Sequence, residues 1–138
     1  MKILKVYRRE EAENFKSPIS NVDWITTVNA KKFYNKLCQE GFFWLAVVDG
    51  KIIGFCAGVV KNREPKNIMV GELFNIYVSN EYRSLGIGSE FVGMFKEYCK
   101  KHNCSNITVK FYSKNERAEK FYQKHGFGDF QCTYLCNI

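Results

Sequence analysis

The sequence predicts one α/β (α+β) domain in which a mixed, mostly antiparallel central sheet is flanked by helices. Three observations lead there. The chain has 138 residues, 46% of them hydrophobic and 16% aromatic, enough for one core and too apolar for disorder. Two apolar runs flank Asp49-Gly50, a turn pair that joins antiparallel strands. A third run, from Leu73 to Val78, leads through Arg83-Ser-Leu-Gly-Ile-Gly88 into a helical repeat, which is the strand–turn–helix unit of a parallel crossover. Pro18 and Pro65 are the only prolines and no Pro/Gly/Ser-rich linker interrupts the chain, so residues 1–138 read as a single domain.

Each element has its own signal. Ile3-Leu-Lys-Val6 reads as a short first strand, and Glu10 to Phe15 as a helical turn stopped near Ser17-Pro18. Thr26 or Thr27 can cap a helix with Ala30, Phe33, Tyr34, Leu37 and Cys38 on one stripe, ended by Gly41. Phe42 to Val48 and Lys51 to Val60 form the hairpin, Lys61 to Asn67 a polar loop, and Ile68 to Val78 the next strand. Ile87, Phe91, Phe95, Tyr98, Cys99 and His102 repeat at helical spacing. Asn106 to Tyr112 alternates as a strand. Asn115 opens a second helix with Ala118, Phe121, Tyr122 and His125 on its stripe, closed by Gly126, and His125 there would meet the helix dipole. Phe130 to Cys136 alternates again as a last strand.

Charge and cysteines narrow the functional classes. The net charge is +7, but Lys and Arg are scattered and the aromatics follow core periodicity, which argues against a nucleic-acid surface. No apolar run is long enough to span a membrane and no signal peptide is evident. Six cysteines without a Cys-x-x-Cys pair, and only two histidines, predict no metal site and reduced thiols in a cytoplasmic protein.

The chemistry centres on the turn from Val78 to Gly88. A helix start leaves backbone N–H groups without intrahelical partners and carries partial positive charge, while glycine lets a ligand approach the main chain. Such a turn suits a pyrophosphate. It is not a Walker A loop, because Ser89-Glu90 follows Gly88 where Lys-Ser/Thr is needed. It is not a dinucleotide fingerprint, because Phe91 stands where the third glycine belongs. The catalytic set of a kinase is missing.

Arg83-x-x-Gly86-x-Gly88, with Glu72-Leu-Phe-Asn-Ile-Tyr-Val78 upstream and Asn115-Glu-Arg-Ala-Glu-Lys-Phe-Tyr-Gln-Lys-His-Gly-Phe127 downstream, resembles the GNAT superfamily of acyl-CoA-dependent N-acetyltransferases. The close match covers roughly residues 68 to 127. The resemblance implies an acetyltransferase that moves an acetyl group from acetyl-CoA to a primary amine by direct transfer, without metal. It implies that Arg83, Ser84, Leu85, Gly86, Ile87, Gly88 and Ser89 form the pyrophosphate cradle, and that the backbone of Ile76, Tyr77 and Val78 pairs with the pantetheine arm. Asn115 would cap its helix and touch that arm. A backbone N–H near Val78 would hold the oxyanion. Glu72 would be the base, its pKa raised by partial burial, and Tyr122 the acid that protonates the leaving thiolate. In strict alternation Glu72 shares a face with Phe74, Ile76 and Val78, unless a bulge of the kind found in this family intervenes. Ser84-Leu85 and Asn80 depart mildly from the family pattern and leave the backbone amides in place. The acceptor, a small-molecule or protein amine, is not legible. Trp24, Phe42, Phe43 and Trp44 fit either an acceptor pocket or core, and Glu10, Glu11, Glu13 and Asp23 either a cationic acceptor or a wet surface. A homodimer is a family-level expectation. A non-catalytic acyl-CoA-binding sensor or interaction domain is the alternative.

Overall fold

The computed structural model describes residues 5–7, 41–49 and 51–138. The expected helices between Glu10 and Gly41, with Trp24 and the acidic residues Glu10, Glu11, Glu13 and Asp23, lie outside the described residues. The strands are β1 (Lys5–Tyr7), β2 (Phe42–Val48), β3 (Lys51–Arg63), β4 (Ile68–Val78) and β5 (Asn106–Val109); the helices are α1 (Ile87–Lys101) and α2 (Glu116–Lys124). They make one sheet in the order β1-β2-β3-β4-β5. Pairs β1–β2, β2–β3 and β3–β4 are antiparallel, and β4–β5 is parallel. That change of sense follows from the connections: Asp49, at φ 51°, turns the chain tightly between β2 and β3, whereas α1 carries the chain across the sheet from β4 to β5.

α1 buries Ile87, Phe91, Val92, Phe95 and Cys99, a stripe at helical spacing. The stripe packs on Phe42, Ala46, Ile53, Cys56 and Leu73 of the sheet, and Tyr122 of α2 joins the same cluster. Phe42, Phe43 and Trp44 are packing residues: Phe42 stacks on Trp44 at 4.3 Å and tilts onto Phe95 at 5.4 Å, and Phe43 stacks on Phe55 at 5.2 Å. Gly71 lets α1 lie close to the sheet, since a Cβ there would run into Cys99 Sγ and come within 2.9 Å of Ile107 and 3.0 Å of Phe95.

The β3–β4 register breaks once. Ala57 pairs with Asn75, but the next residue, Gly58, pairs with Leu73. Phe74 is thus the extra residue of a bulge, and alternation changes phase across it. Leu73 before the bulge and Ile76 and Val78 after it all pack on the α1 side. Glu72, next to Leu73, projects from the opposite face. This resolves the phase problem that strict alternation posed for Glu72.

Three boundaries differ from expectation. β3 runs on to Arg63 through half of the predicted loop, because β4 supplies ladder partners as far as Ile68. β5 stops at Val109, where its pairing with β4 ends. The predicted strand Phe130–Cys136 is absent: residues 128–138 carry no helix or strand and are all exposed. Its alternation is that of a strand, but no described strand runs alongside it.

Gly71→Ala is expected to lower the unfolding free energy by about 1–3 kcal/mol in urea titrations, as overpacking does. Gly93→Ala, at a point of α1 where no described atom lies within 4 Å of the added Cβ, should instead raise stability by about 0.5–1 kcal/mol.

Candidate active site

The turn after β4 is built by backbone conformation and one arginine. Ser79 N–H donates to Ile53 O at 2.7 Å, anchoring the strand end, and Asn80–Tyr82 form a single 3-10 turn. Arg83 folds back so that Nε donates to Val78 O at 2.8 Å, and Nη1 reaches Asn80 Oδ1 at 3.4 Å. The guanidinium therefore holds the turn to the strand. Ser84 (φ 64°) and Gly86 (φ 86°) are both left-handed. Gly86 is the N-cap of α1 and offers no side-chain oxygen to the first turn, whose backbone closes with Glu90 N–H on Gly86 O at 3.0 Å. The amides of Ile87, Gly88 and Ser89 thus start a fifteen-residue helix without a side-chain cap. Among the described residues a Cβ on Gly86 would meet no atom within 4 Å, so there only the backbone conformation calls for glycine.

α2 is fastened to that turn. Phe121 lies against Gly88, where a Cβ would come within 3.2 Å of the ring. Ser89 Oγ is 3.0 Å from His125 Nε2, and Lys96 Nζ donates to His125 O at 2.6 Å. Burial, with the charges of Lys124 and Lys96, lowers the His125 pKa, so the ring resists the positive charge that a dipole interaction would use. At the other end, Asn115 Oδ1 accepts from Ala118 N–H at 3.1 Å, the expected cap.

β4 and β5 then part. Their ladder runs from Val70–Asn106 to Leu73–Val109 and stops, while β4 continues along β3 to Val78. Glu72 sits one residue before the gap, 8% exposed. Lys61 Nζ of β3 is 2.6 Å from Oε2 and Lys110 Nζ, just past β5, is 3.6 Å from Oε1. Burial pushes the Glu72 pKa up, but the hydrogen bond and charge of Lys61, reinforced by Lys110, outweigh it, and the net shift is downward. The expected rise is therefore reversed. Neither lysine was paired with Glu72 from sequence, because their approach depends on strand register. Tyr122 is on the other face, 8% exposed, stacked on Phe111 at 5.5 Å and edge-on to Phe127 at 5.6 Å. Burial, with Cys56 adding to it, raises its pKa to about 12. Glu72 and Tyr122 thus flank the gap from opposite sides of the sheet.

A cradle of uncapped amides, a strand that outruns its parallel neighbour, a bulge beside a carboxylate and a buried phenol occur together. The family model for the acetyltransferase (GNAT) family matches residues 6–127. The chain belongs to that family. An uncharacterized N-acetyltransferase of Methanocaldococcus jannaschii is 31% identical over 99 residues, which are 70% of this chain and 42% of that protein. The chain thus spans less than half the length of that relative. Among solved structures, an aminoglycoside acetyltransferase from an uncultured soil metagenomic sample, in complex with trehalose, superposes with TM-score 0.76 at 13% identity over 97% of this chain and 93% of that one. A probable acetyltransferase gives 0.72 at 20% identity, with 98% of each chain covered. An aminoglycoside N-acetyltransferase in complex with CoA gives 0.69 at 16%, over 87% of this chain and 93% of that one. At these identities the likeness is one of fold, and it is the GNAT fold, a mixed and mostly antiparallel sheet with helices.

The ion pairs of Glu72 carry a pH signature. A depressed folded pKa means that their stabilisation is complete above the unfolded carboxylate value of about 4.3 and is lost as pH falls through the folded pKa. Glu72→Gln is expected to cost about 1 kcal/mol at neutral pH, a modest figure because half-exposed Lys61 is screened by solvent. Denaturant titrations should show the gap to wild type closing in acid.

Proposed function

We propose that this chain is an N-acetyltransferase that moves an acetyl group from acetyl-CoA to a primary amine by direct transfer within a ternary complex, residues 1–138 forming one catalytic domain. The observation that carries this reading is the uncapped start of α1, entered through left-handed Ser84 and Gly86 directly beyond a strand that has parted from β5. The residues fit coenzyme A. Backbone amides from Ser84 to Ser89 would hold the pyrophosphate, and Arg83 would act by fixing the turn rather than by reaching the anion, since its Nε is engaged by Val78 O. Ile76, Tyr77 and Val78 would present main chain to the pantetheine arm, and Asn115 would cap α2 with its oxygen and offer its amide nitrogen to the arm. Bound acetyl-CoA supplies the activated acyl group.

Glu72 would take the proton of the acceptor amine, directly or through one water. Its low pKa makes it fully ionised at neutral pH but a weak base, so it works by holding and orienting the proton to be lost. An amide near Val78 would face the charge that grows on the carbonyl oxygen. Tyr122 stays protonated at neutral pH. Full transfer from a phenol at about 12 to a thiolate of about 8.5 would run uphill by roughly 5 kcal/mol. Tyr122 would therefore hydrogen-bond to the sulfur as charge develops there. Direct transfer is supported by the thiols: burial raises the pKa of Cys56 and, with Cys104, that of Cys99, so neither is an ionised nucleophile. Five free cysteines among the described residues favour a reducing compartment, the cytoplasm. Among the described residues no helix is long and apolar enough to cross a membrane, and no cluster could hold a metal. We take the partners to be an amine acceptor, small molecule or protein, with no nucleic acid or membrane.

Calorimetry should show acetyl-CoA binding to the wild type and none to Gly86→Val, whose side chain would enter the open space over the cradle; equal affinity would refute the cradle. With acetyl-CoA and a panel of amines, Glu72→Gln should lower kcat about 10²–10⁴-fold, with the deficit shrinking at high pH as the amine deprotonates unaided. Binding without release of free thiol for any amine would instead identify a sensor or interaction domain.

A further inference from the structure

Resting on the acetyl-transfer reading of the site, we propose that Lys110 is the chain's own acetyl acceptor: with acetyl-CoA bound and no external amine present, the acetyl group passes to Lys110 Nζ of the same molecule. Three placements meet at one point. β4 and β5 pair as far as Leu73–Val109 and part beyond it. A carrier whose pyrophosphate lies on the amides of residues 84–89, and whose arm runs back along Ile76 to Val78, brings its thioester to the head of that gap. Lys110 is the first residue past Val109, so it stands at the same point on the β5 side.

The third placement is that of the carboxylate. Glu72 is the one buried charged residue among the described residues, and Lys110 Nζ lies 3.6 Å from its Oε1. The Lys110 side chain is 82% exposed, so this long ion pair costs little to break and the amine can swing into the gap. Lys61 is placed differently. It pairs with Val70 of β4, two residues before Glu72 and away from the gap, and its Nζ sits 2.6 Å from Oε2. Lys61 holds the carboxylate from behind, whereas Lys110 meets it from the side on which the thioester arrives.

The step balances without any further reactant. A lysine side chain is an ammonium at neutral pH. It gives one proton through Glu72 to water, and the free amine attacks the thioester carbonyl carbon. The C–N bond forms, the C–S bond breaks, and the second amine proton goes to the departing thiolate, to whose sulfur the Tyr122 phenol hydrogen-bonds. Ammonium and acetyl-CoA thus yield acetyl-lysine, free CoA thiol and one proton in solution. The amide carries no charge, so Glu72 is left with Lys61 alone and the transfer occurs once per chain. An acceptor on the same chain needs no encounter, which makes the rate independent of protein concentration.

Mass spectrometry of the full chain incubated with acetyl-CoA alone should show one added acetyl group, and peptide mapping should place it on Lys110. Lys110→Arg, which keeps the charge, should take up none, and Glu72→Gln should slow uptake by about 10²-fold or more. A second readout needs no turnover. Desulfo-coenzyme A, which cannot carry an acetyl group, should shield Lys110 from acetic anhydride, while Lys100, exposed at the far end of α1, reacts as before. Acetyl groups spread evenly over exposed lysines, uptake on Lys61 instead, uptake indifferent to Glu72→Gln, or an unshielded Lys110 would each overturn the proposal. A wild-type chain that releases thiol with a panel of amines yet leaves Lys110 unmodified overturns it while the acetyl-transfer reading stands; a chain that binds no acetyl-CoA overturns both.

Discussion

The parting of β4 from β5 after Leu73 and Val109 is the constraint on which the site depends. A parallel ladder carried to the end of β4 would occupy the edge of Ile76 to Val78 and fill the gap between Glu72 and Tyr122. Two local features accompany its end. The bulge at Phe74 changes the phase of β4, so Ile76 and Val78 stay on the core face although Leu73 was there already. Beyond Val109 the chain leaves the sheet for α2, whose Phe111 and Phe127 contacts hold Tyr122 beside the gap.

The cradle is held in shape from both sides. Arg83 ties it to the end of β4, and Ser89, Lys96 and the Gly88–Phe121 contact tie it to α2. The second glycine of the motif therefore has a packing role: it admits an aromatic ring of α2 against the first turn of α1. The first glycine has a conformational role, with no described residue crowding its side. Two positions that look alike in the motif are kept as glycine by different forces.

Much of this was legible in the sequence because it rests on local signals. Asp49 marked the hairpin, helical spacing from Ile87 gave α1, Asn115 and Gly126 bracketed α2, and Arg83, Gly86 and Gly88 marked the turn into α1. What escaped depends on register. Lys61 and Lys110 are far from Glu72 in the chain and meet it only because β3, β4 and β5 align them, so the direction of the Glu72 shift was misjudged from burial alone. The Ser89–His125 link escaped for the same reason, being a contact between helices. Phe130 to Cys136 carries a strand's alternation, but alternation specifies a face and not a neighbour, and among the described residues no strand runs alongside it.

The Lys61–Glu72 contact has a consequence for any amine that reaches this carboxylate. The seat is already taken by an ammonium of the protein itself, at 2.6 Å, with a second cation close by. An incoming guest must displace a resident of its own chemical kind, with two ammonium groups already set against one carboxylate. If Glu72 receives the acceptor, a highly cationic guest would meet the greatest opposition, whereas one whose amine is accompanied by an anionic group would offer the evicted lysine a new counterion.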